Sequence, residues 1–181
     1  MPRHPRGYTL IEVLVVVTVL GIAGALVIPS MGQAGVLRIQ ASVRTIVADI
    51  TFAQSDALAY QRGRAVMFEP DENRYTLVDV TGDDLDPVND VMYDRFRPGR
   101  QYIVDLDDDA DFAGARISEV DFDGETNLIF DELGGPVTTP GGTTPSAGGF
   151  VEVTGADGQV FRINVEAYTG RVTVQRIAAG G

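Results

Sequence analysis

An uncharged, strongly apolar run near the N-terminus constrains this chain more than any other feature. Residues 13–37 are 25 consecutive positions without a charged side chain, filled mainly by valine, leucine, isoleucine, alanine and glycine. An α-helix rises about 1.5 Å per residue and the bilayer core is roughly 30 Å thick, so about 20 apolar residues suffice to cross it. The run therefore predicts a membrane-spanning helix.

A short basic leader precedes the run, and a single carboxylate, Glu12, stands at its start. A secretory signal has an apolar core of only about 7–15 residues, followed by a cleavage site of small residues. This run is longer and continues into a helical pattern instead. Because positive flanks stay in the cytoplasm, Arg3 and Arg6 predict a cytoplasmic N-terminus and a body on the outer side of the membrane. A carboxylate inside a membrane span is costly, so Glu12 is a functional candidate.

The order of residues 7–14, GYTLIEVL, resembles the prepilin signal of type IV pilins and type II secretion pseudopilins. The resemblance implies that a prepilin peptidase cleaves between Gly7 and Tyr8 and that the new amino group on Tyr8 is methylated. It also implies a role in assembly for Glu12, and for Pro29, which falls where these proteins commonly carry a proline. The alternative is an ordinary signal anchor in which Glu12 only reaches the membrane interface.

Composition excludes several classes of function. The chain has 26 acidic residues, 14 Lys plus Arg, one histidine and no cysteine. All 14 cations are arginines, and loss of the leader with Arg3 and Arg6 leaves 12 minus 26, a net charge of −14. Such a field repels phosphate backbones, so nucleic-acid binding is not expected. His4 would leave with the leader, so Ser-His or Cys-His nucleophiles and the usual zinc ligand sets are ruled out, and we expect no enzyme.

The remainder of the chain predicts an α+β fold. Apolar residues recur at helical spacing over residues 38–62, which indicates an amphipathic helix that ends at Gly63. Short strand-like segments follow at residues 65–69, 74–80, 101–106, 127–131, 150–154, 159–165 and 171–177. The sequence GADG at residues 155–158 predicts a hairpin turn. We therefore expect a leader at 1–7, a transmembrane half-helix at 8–37, an amphipathic half-helix at 38–63 and a small antiparallel β domain at 64–181.

Two stretches interrupt the strand pattern. Residues 79–111 contain 11 aspartates against three arginines, which predicts an acidic surface insertion. Residues 134–149 contain 14 Gly, Pro, Ser or Thr residues among 16. Because such a segment has few apolar side chains to bury, we expect it to be a flexible loop.

Four aspartates alternate inside the acidic insertion: Asp105, Asp107, Asp109 and Asp111. The alternation is similar to the start of a calcium loop, but Ala110 stands where an EF-hand has glycine and Arg116 where it has its last glutamate. Two interpretations stay open. One is a solvated acidic loop, and the other is an unusual calcium site that offsets the repulsion within the insertion. No other cofactor is expected.

Three arginines near the C-terminus are the candidate nucleic-acid contacts: Arg162, Arg171 and Arg176. The domain that contains them is strongly negative. The simpler interpretation is therefore that they balance neighbouring carboxylates on an exposed sheet face.

The layout of several segments after residue 40 resembles the minor pseudopilin H and FimT group. The segments that carry this resemblance are AQSDAL at 53–58, FEPDENRY at 68–75, LIFDELGGP at 128–136 and TGRV at 169–172. The resemblance implies a structural subunit of a type II secretion filament. Its implied partners are other pseudopilins, a prepilin peptidase and methylase, and an inner-membrane assembly platform. A minor type IV pilin for pilus assembly or DNA uptake, and a single-span periplasmic binding domain, stay open as alternatives.

Overall fold

One long helix, α1 (Leu10–Tyr60), runs into the domain that follows it. The computed structural model describes residues 8–95, 97–108 and 110–177, and at residues 25–34 and 36 it describes the backbone only. The helix has 51 residues, which corresponds to about 75 Å at 1.5 Å per residue. Its backbone is helical through Pro29, so the two predicted half-helices form one continuous element.

The end of α1 lies three residues before the predicted stop at Gly63. Gln61 adopts a left-handed conformation with φ of 51°, and its N–H donates to the Ala57 carbonyl. This closes the last turn without a glycine. Gly63 has a different role, because a Cβ there would lie 2.9 Å from the Cβ of Val80. A glycine is therefore needed where the chain passes close to Val80, and the prediction that it ends the helix is wrong.

The β domain consists of two antiparallel sheets. Its strands are β1 (Arg64–Glu69), β2 (Arg74–Asp79), β3 (Ile103–Asp105), β4 (Arg116–Phe122), β5 (Asn127–Phe130), β6 (Pro136–Val137), β7 (Gly148–Thr154), β8 (Val160–Glu166) and β9 (Val172–Ile177). One sheet has the order β3-β2-β1-β5-β6 and the other β4-β7-β8-β9. The α+β class with an antiparallel β domain is thus confirmed, and the GADG turn joins β7 to β8.

The core lies between α1 and the sheets. Six apolar side chains on one stripe of α1 are fully or almost fully buried: Ile39, Val43, Ile46, Ile50, Ala53 and Ala57. They belong to the same buried cluster as Phe68, Tyr75 and Phe130 from the first sheet and Val151 and Ile163 from the second. Burial of this stripe explains the helical spacing seen in residues 38–62.

Two strands were not predicted, β4 and β6. In β4 the register shifts between Ile117 and Glu119, so one extra residue interrupts the alternation of buried and exposed positions. The strand β6 has only two residues and pairs Val137 with Ile129 and Pro136 with Phe130. The sequence pattern reveals neither strand. The bulge breaks the alternation in β4, and the two residues of β6 are too few to show a period of two.

The acidic insertion is more than a surface element. Within residues 79–111, Val91, Met92, Tyr102 and Leu106 are buried. The Met92 N–H donates to Leu77 O at 2.9 Å and the Tyr102 N–H donates to Met92 O at 2.7 Å. These four buried side chains and the two backbone hydrogen bonds hold the segment against β2.

The Gly-, Pro- and Thr-rich stretch 134–149 contains regular hydrogen bonding rather than an unstructured loop. It includes β6 and the first two residues of β7. The Thr138 N–H donates to Thr144 O, and the Ser146 N–H donates to Pro136 O. Because backbone groups pair across the segment and Val137 is 6% exposed, the prediction of a flexible loop is wrong.

Candidate assembly site

The N-terminal turn of α1 places Glu12 at the third helical position. Thr9 is the N-cap, and its Oγ1 accepts a hydrogen bond from the Glu12 N–H at 3.3 Å. The sequence TLIE therefore matches a capping box, in which threonine at the N-cap is followed three residues later by glutamate. A carboxylate in the first turn also interacts favourably with the positive end of the helix dipole. Both effects favour a carboxylate at this position of the first turn.

In the described part of the chain, the helix around Glu12 is left exposed. From Tyr8 to Ile22 the large apolar side chains are between 52% and 84% exposed. Among the described residues, no cation forms an ion pair with Glu12. The described start of α1 thus presents exposed apolar side chains beside one carboxylate that has no ion pair among the described residues, and an external apolar environment is needed to bury those side chains.

The processing roles of Gly7 and Tyr8 and the assembly roles of Glu12 and Pro29 stay predictions. Gly7 lies outside the described residues, and at Pro29 only the backbone is described. Over the residues that were described, no helix reaches the combination of length and mean hydropathy expected of a bilayer-crossing segment.

The other half of α1 is tied to the domain through a buried aspartate. Asp49 Oδ2 accepts a hydrogen bond from Tyr75 Oη at 2.5 Å, and Asp49 Oδ1 accepts one from Tyr102 Oη at 2.8 Å. The two tyrosines come from β2 and from the acidic insertion. One carboxylate therefore holds the helix, the first sheet and the insertion together.

A second buried aspartate anchors the last turns of α1. Asp56 Oδ2 accepts from Arg64 Nε at 2.7 Å, and the Asp56 and Arg64 side chains are 2% and 6% exposed. Asp56 Oδ1 also pairs with Arg95, whose guanidinium lies 5.0 Å from the centre of the Phe52 ring. Arg64 reaches Asp79 at 3.0 Å. The network fastens β1, β2 and the acidic insertion to the helix.

Gln54 connects α1 to two loops, one between strands of the first sheet and one between strands of the second. Its Nε2 donates to Gly134 O at 2.7 Å and to Thr169 O at 2.8 Å. Together with Asp49 and Asp56, Gln54 connects the C-terminal half of α1 to the domain. A force on the N-terminal half of α1 would therefore be transmitted to the domain.

Comparisons with known proteins agree with this geometry. The sequence profile described as the prokaryotic N-terminal methylation motif matches residues 2–28. No curated protein gives a significant match. Among solved structures, the chain is similar to the minor pseudopilin EpsH from the type 2 secretion system of Vibrio cholerae, with a TM-score of 0.52 and 11% sequence identity. The match covers 80% of this chain and 99% of EpsH.

The chain has an α+β, pilin-like fold similar to that of the minor pseudopilin EpsH. The methylation motif matches residues that include the capped start of α1. The structural match is a separate observation, because it depends on the fold and not on that motif. Because the sequence identity is low, the structural similarity is evidence for the fold and for nothing more.

Two of the calcium candidates, Asp105 and Asp107, accept local hydrogen bonds. Asp105 Oδ1 accepts from the N–H groups of Asp107 and Asp108. Asp107 Oδ1 accepts from Asn73 Nδ2 at 2.7 Å. Asp109 lies outside the described residues. Among those that are described, no three His, Cys, Asp or Glu side chains come close enough to hold a metal ion, and calcium binding stays a prediction.

The three C-terminal arginines do not form one patch. Arg162 donates to Glu152 and Arg171 to Glu166, and the Arg171 guanidinium lowers the pKa of the Glu166 carboxyl. The register pairs Arg162 with Gln175 and Phe161 with Arg176. Because neighbouring strand positions face opposite ways, Arg176 lies on the other side of the sheet from Arg162. This distribution supports the charge-balancing interpretation.

Sequence reasoning missed the residues that fix the helix to the domain. The helical pattern puts Asp49 and Asp56 among the polar positions of α1, yet both are buried. Asn73 is a further buried polar residue, and its Nδ2 donates to Ala115 O while its Oδ1 accepts from the Ile117 N–H. The signal for Asp56 was present in the spacing, because it precedes Arg64 by eight residues across a helix end. Nothing in the sequence pairs Asp49 with Tyr75.

The environment of Asp49 predicts a measurable pH effect. Burial raises the pKa of the Asp49 carboxyl, and the hydrogen bonds from Tyr75 and Tyr102 offset only part of that increase. A carboxyl with a raised folded-state pKa contributes most to stability below the unfolded value, about 3.9, and loses that contribution as pH rises through the folded value.

We therefore expect Asp49→Asn to flatten the decline of Tm with pH above about 4. Melting curves of the full chain in detergent between about pH 4 and 8 would measure this, with the exposed Asp84→Asn as the matched control. An Asp49→Asn profile parallel to that of the unmodified chain would contradict the assignment.

Proposed function

We propose that this chain is a minor pseudopilin, a structural subunit of the pilus-like filament of a type II protein secretion system. The observation that carries the proposal is one unbroken helix of 51 residues that joins a methylation motif to a minor-pseudopilin domain. The exposed apolar half of the helix enters the filament core, and the β domain lies on the filament surface. The role is mechanical rather than catalytic.

Before assembly the chain is a single-pass protein of the inner membrane. The leader stays in the cytoplasm, and the domain from about residue 38 onward faces the periplasm. A prepilin peptidase removes residues 1–7, and a methylase modifies the new amino group of Tyr8. An inner-membrane platform, driven by a cytoplasmic ATPase, then draws the subunit into the filament beside other pseudopilins.

Glu12 controls the entry of the subunit into the filament. Cleavage creates a positively charged amine at Tyr8, and methylation preserves that charge. The amine of one subunit pairs with Glu12 of its neighbour, so two charges that are costly in an apolar bundle neutralise each other. Because the pair forms in one axial position only, it also fixes the register between adjacent helices. An uncleaved leader would keep Arg3 and Arg6 where the amine has to lie.

A minor type IV pilin for DNA uptake is the nearest alternative. The distribution of arginines disfavours it, since Arg162 and Arg171 are paired with carboxylates and Arg176 lies on the other sheet face. A single-span periplasmic binding domain would use the same anchor, but it would gain nothing from the processing signal at Gly7.

Gly7 separates a filament subunit from a simple tether. A Gly7→Val variant should insert in the membrane and keep its leader, and it should be absent from filaments, since no free amine forms at Tyr8. Intact mass of the purified chain and its amount in the filament fraction would be measured. Pro5→Ala alters the leader without changing the cleavage position and serves as the control. Normal function of an uncleaved Gly7→Val chain would favour the tether.

A further inference from the structure

The four edges of the two sheets are not equally protected against pairing with another strand. Edge β3 has three residues, and edge β6 has two, one of which is Pro136. Edge β4 is interrupted by the register shift after Ile117, whose N–H donates to Asn73 Oδ1 at 2.9 Å. Short strands, proline and bulges are the usual means of blocking an edge. Three of the four edges therefore carry such a device.

The fourth edge, β9, carries none of them. It has six residues, Val-Thr-Val-Gln-Arg-Ile, with no proline and no acidic side chain. It pairs with β8 without a register shift from Val172 to Ile177. Among the described residues, no strand pairs with its outer side. An edge of this length and composition is a ready template for a further strand.

The hydrogen-bond pattern shows which groups of β9 point outward. The Glu166 N–H donates to Arg171 O at 3.0 Å. In an antiparallel pair the bonded positions alternate, so Thr173 and Gln175 bond β8 whereas Val174 and Arg176 direct their N–H and C=O groups away from it. Across β8, the Gly155 N–H donates to Gln159 O, and continuing that alternation gives the same assignment.

The side chains along this edge define the partner's chemistry. Val174 is 45% exposed. Arg176 is exposed, and it takes part in no ion pair among the described residues, unlike Arg162 and Arg171. A segment that lies along β9 would bury Val174 against an apolar residue and would satisfy Arg176 with a carboxylate. Such a segment is extended, partly apolar and acidic.

We propose that the β9 edge binds an extended acidic segment of a different neighbouring subunit, which adds a fifth strand to the second sheet. This proposal rests on the proposed function, because a filament is what brings a neighbouring subunit to this edge. Backbone hydrogen bonds supply the affinity of such an interaction, and the contacts of Val174 and Arg176 supply its specificity.

A second copy of this chain is a poorer occupant of the same edge. Antiparallel pairing of β9 with β9 follows a two-fold axis perpendicular to the sheet. Such a pair would offer no carboxylate to either Arg176, because β9 contains no acidic side chain.

Amide hydrogen exchange of the full chain tests the edge directly. The chain would be compared as a monomer in detergent and in isolated filaments. We expect the Val174 and Arg176 amides to exchange quickly in the monomer and at least tenfold more slowly in filaments, whereas Thr173 and Gln175 are protected in both. Unchanged rapid exchange of Val174 and Arg176 in filaments would overturn the proposal.

Matched variants test the consequence. Val174→Pro removes an outward N–H and leaves the bonds to β8, so Tm should change little and incorporation should fall at least tenfold. Val174→Lys blocks the edge without a ring and covers the case in which the proline variant does not fold. Normal incorporation of the folded variants would overturn the proposal. So would β9-linked homodimers of the unmodified chain.

Failure of the edge proposal can be distinguished from failure of the proposed filament role. If Glu12→Leu abolishes incorporation while both Val174 variants assemble normally, only the edge proposal fails. If the unmodified chain itself is absent from filaments, the filament role fails.

Discussion

Replacing Glu12 with leucine should leave membrane insertion and leader removal intact and should exclude the chain from filaments. In the filament the Tyr8 amine of one subunit would lose its counter-charge inside an apolar bundle. Removing one partner of a buried pair costs about 3–5 kcal/mol, which corresponds to a loss of incorporation of more than about a hundredfold at 1.4 kcal/mol per decade. The measurement is the ratio of processed chain in filaments to processed chain in the membrane.

Two further variants separate the charge of Glu12 from its position in the capping box. Glu12→Gln keeps a side chain that can cap Thr9 but removes the charge. Thr18→Val raises the apolar character of the helix without touching a charge, since the Thr18 hydroxyl bonds only its own helix, at Leu14 O. Incorporation should be lost with Glu12→Gln and kept with Thr18→Val. Recovery of assembly by Glu12→Gln would assign Glu12 a capping role instead.

The largest effect on folding stability should come from Asp56→Ala. This change leaves Arg64 buried with only Asp79, whose side chain is 39% exposed, as its carboxylate partner. It also frees Arg95 from the end of α1. Stranding a buried charge typically costs about 3–5 kcal/mol. The free energy of unfolding, measured by urea titration of the full chain in detergent, should fall by about that amount.

The matched control for this effect is an exposed pair. Arg74 and Glu69 are both 36% exposed and meet at 2.5 Å. Glu69→Ala should cost no more than about 1 kcal/mol, because solvent screens the pair. Equal losses for Asp56→Ala and Glu69→Ala would show that burial of the Asp56 network adds no stability.

The parts of the molecule that follow from local pattern could be predicted from the sequence. The exposed start of α1 depends on composition and on the order of residues around Gly7 and Glu12. Strands β1, β2, β7, β8 and β9 follow from alternation and from turn residues such as those at 155–158. These signals are contained within a few neighbouring residues, so no knowledge of the fold is required to read them.

The parts that depend on distant residues could not be predicted. Asp49 and Asp56 look like solvent-facing positions in a helical pattern, and their burial depends on Tyr75, Tyr102 and Arg64. The acidic insertion looks wholly exposed until Met92 and Tyr102 are seen against β2. The open side of β9 can be recognised only once the order of strands in the sheet is known. In each case tertiary contacts outweigh a local preference.

Whether the chain is a processed filament subunit is decided most directly by the mass of its N-terminal tryptic peptide in isolated filaments. The chain contains no lysine, and its first arginine after the leader is Arg38. Processing would therefore yield residues 8–38 with one added methyl group on the Tyr8 amine. An unprocessed chain would yield residues 7–38, which begin at Gly7 without the methyl group. We expect only the methylated peptide in filaments, and recovery of the Gly7 peptide there would contradict the proposed function.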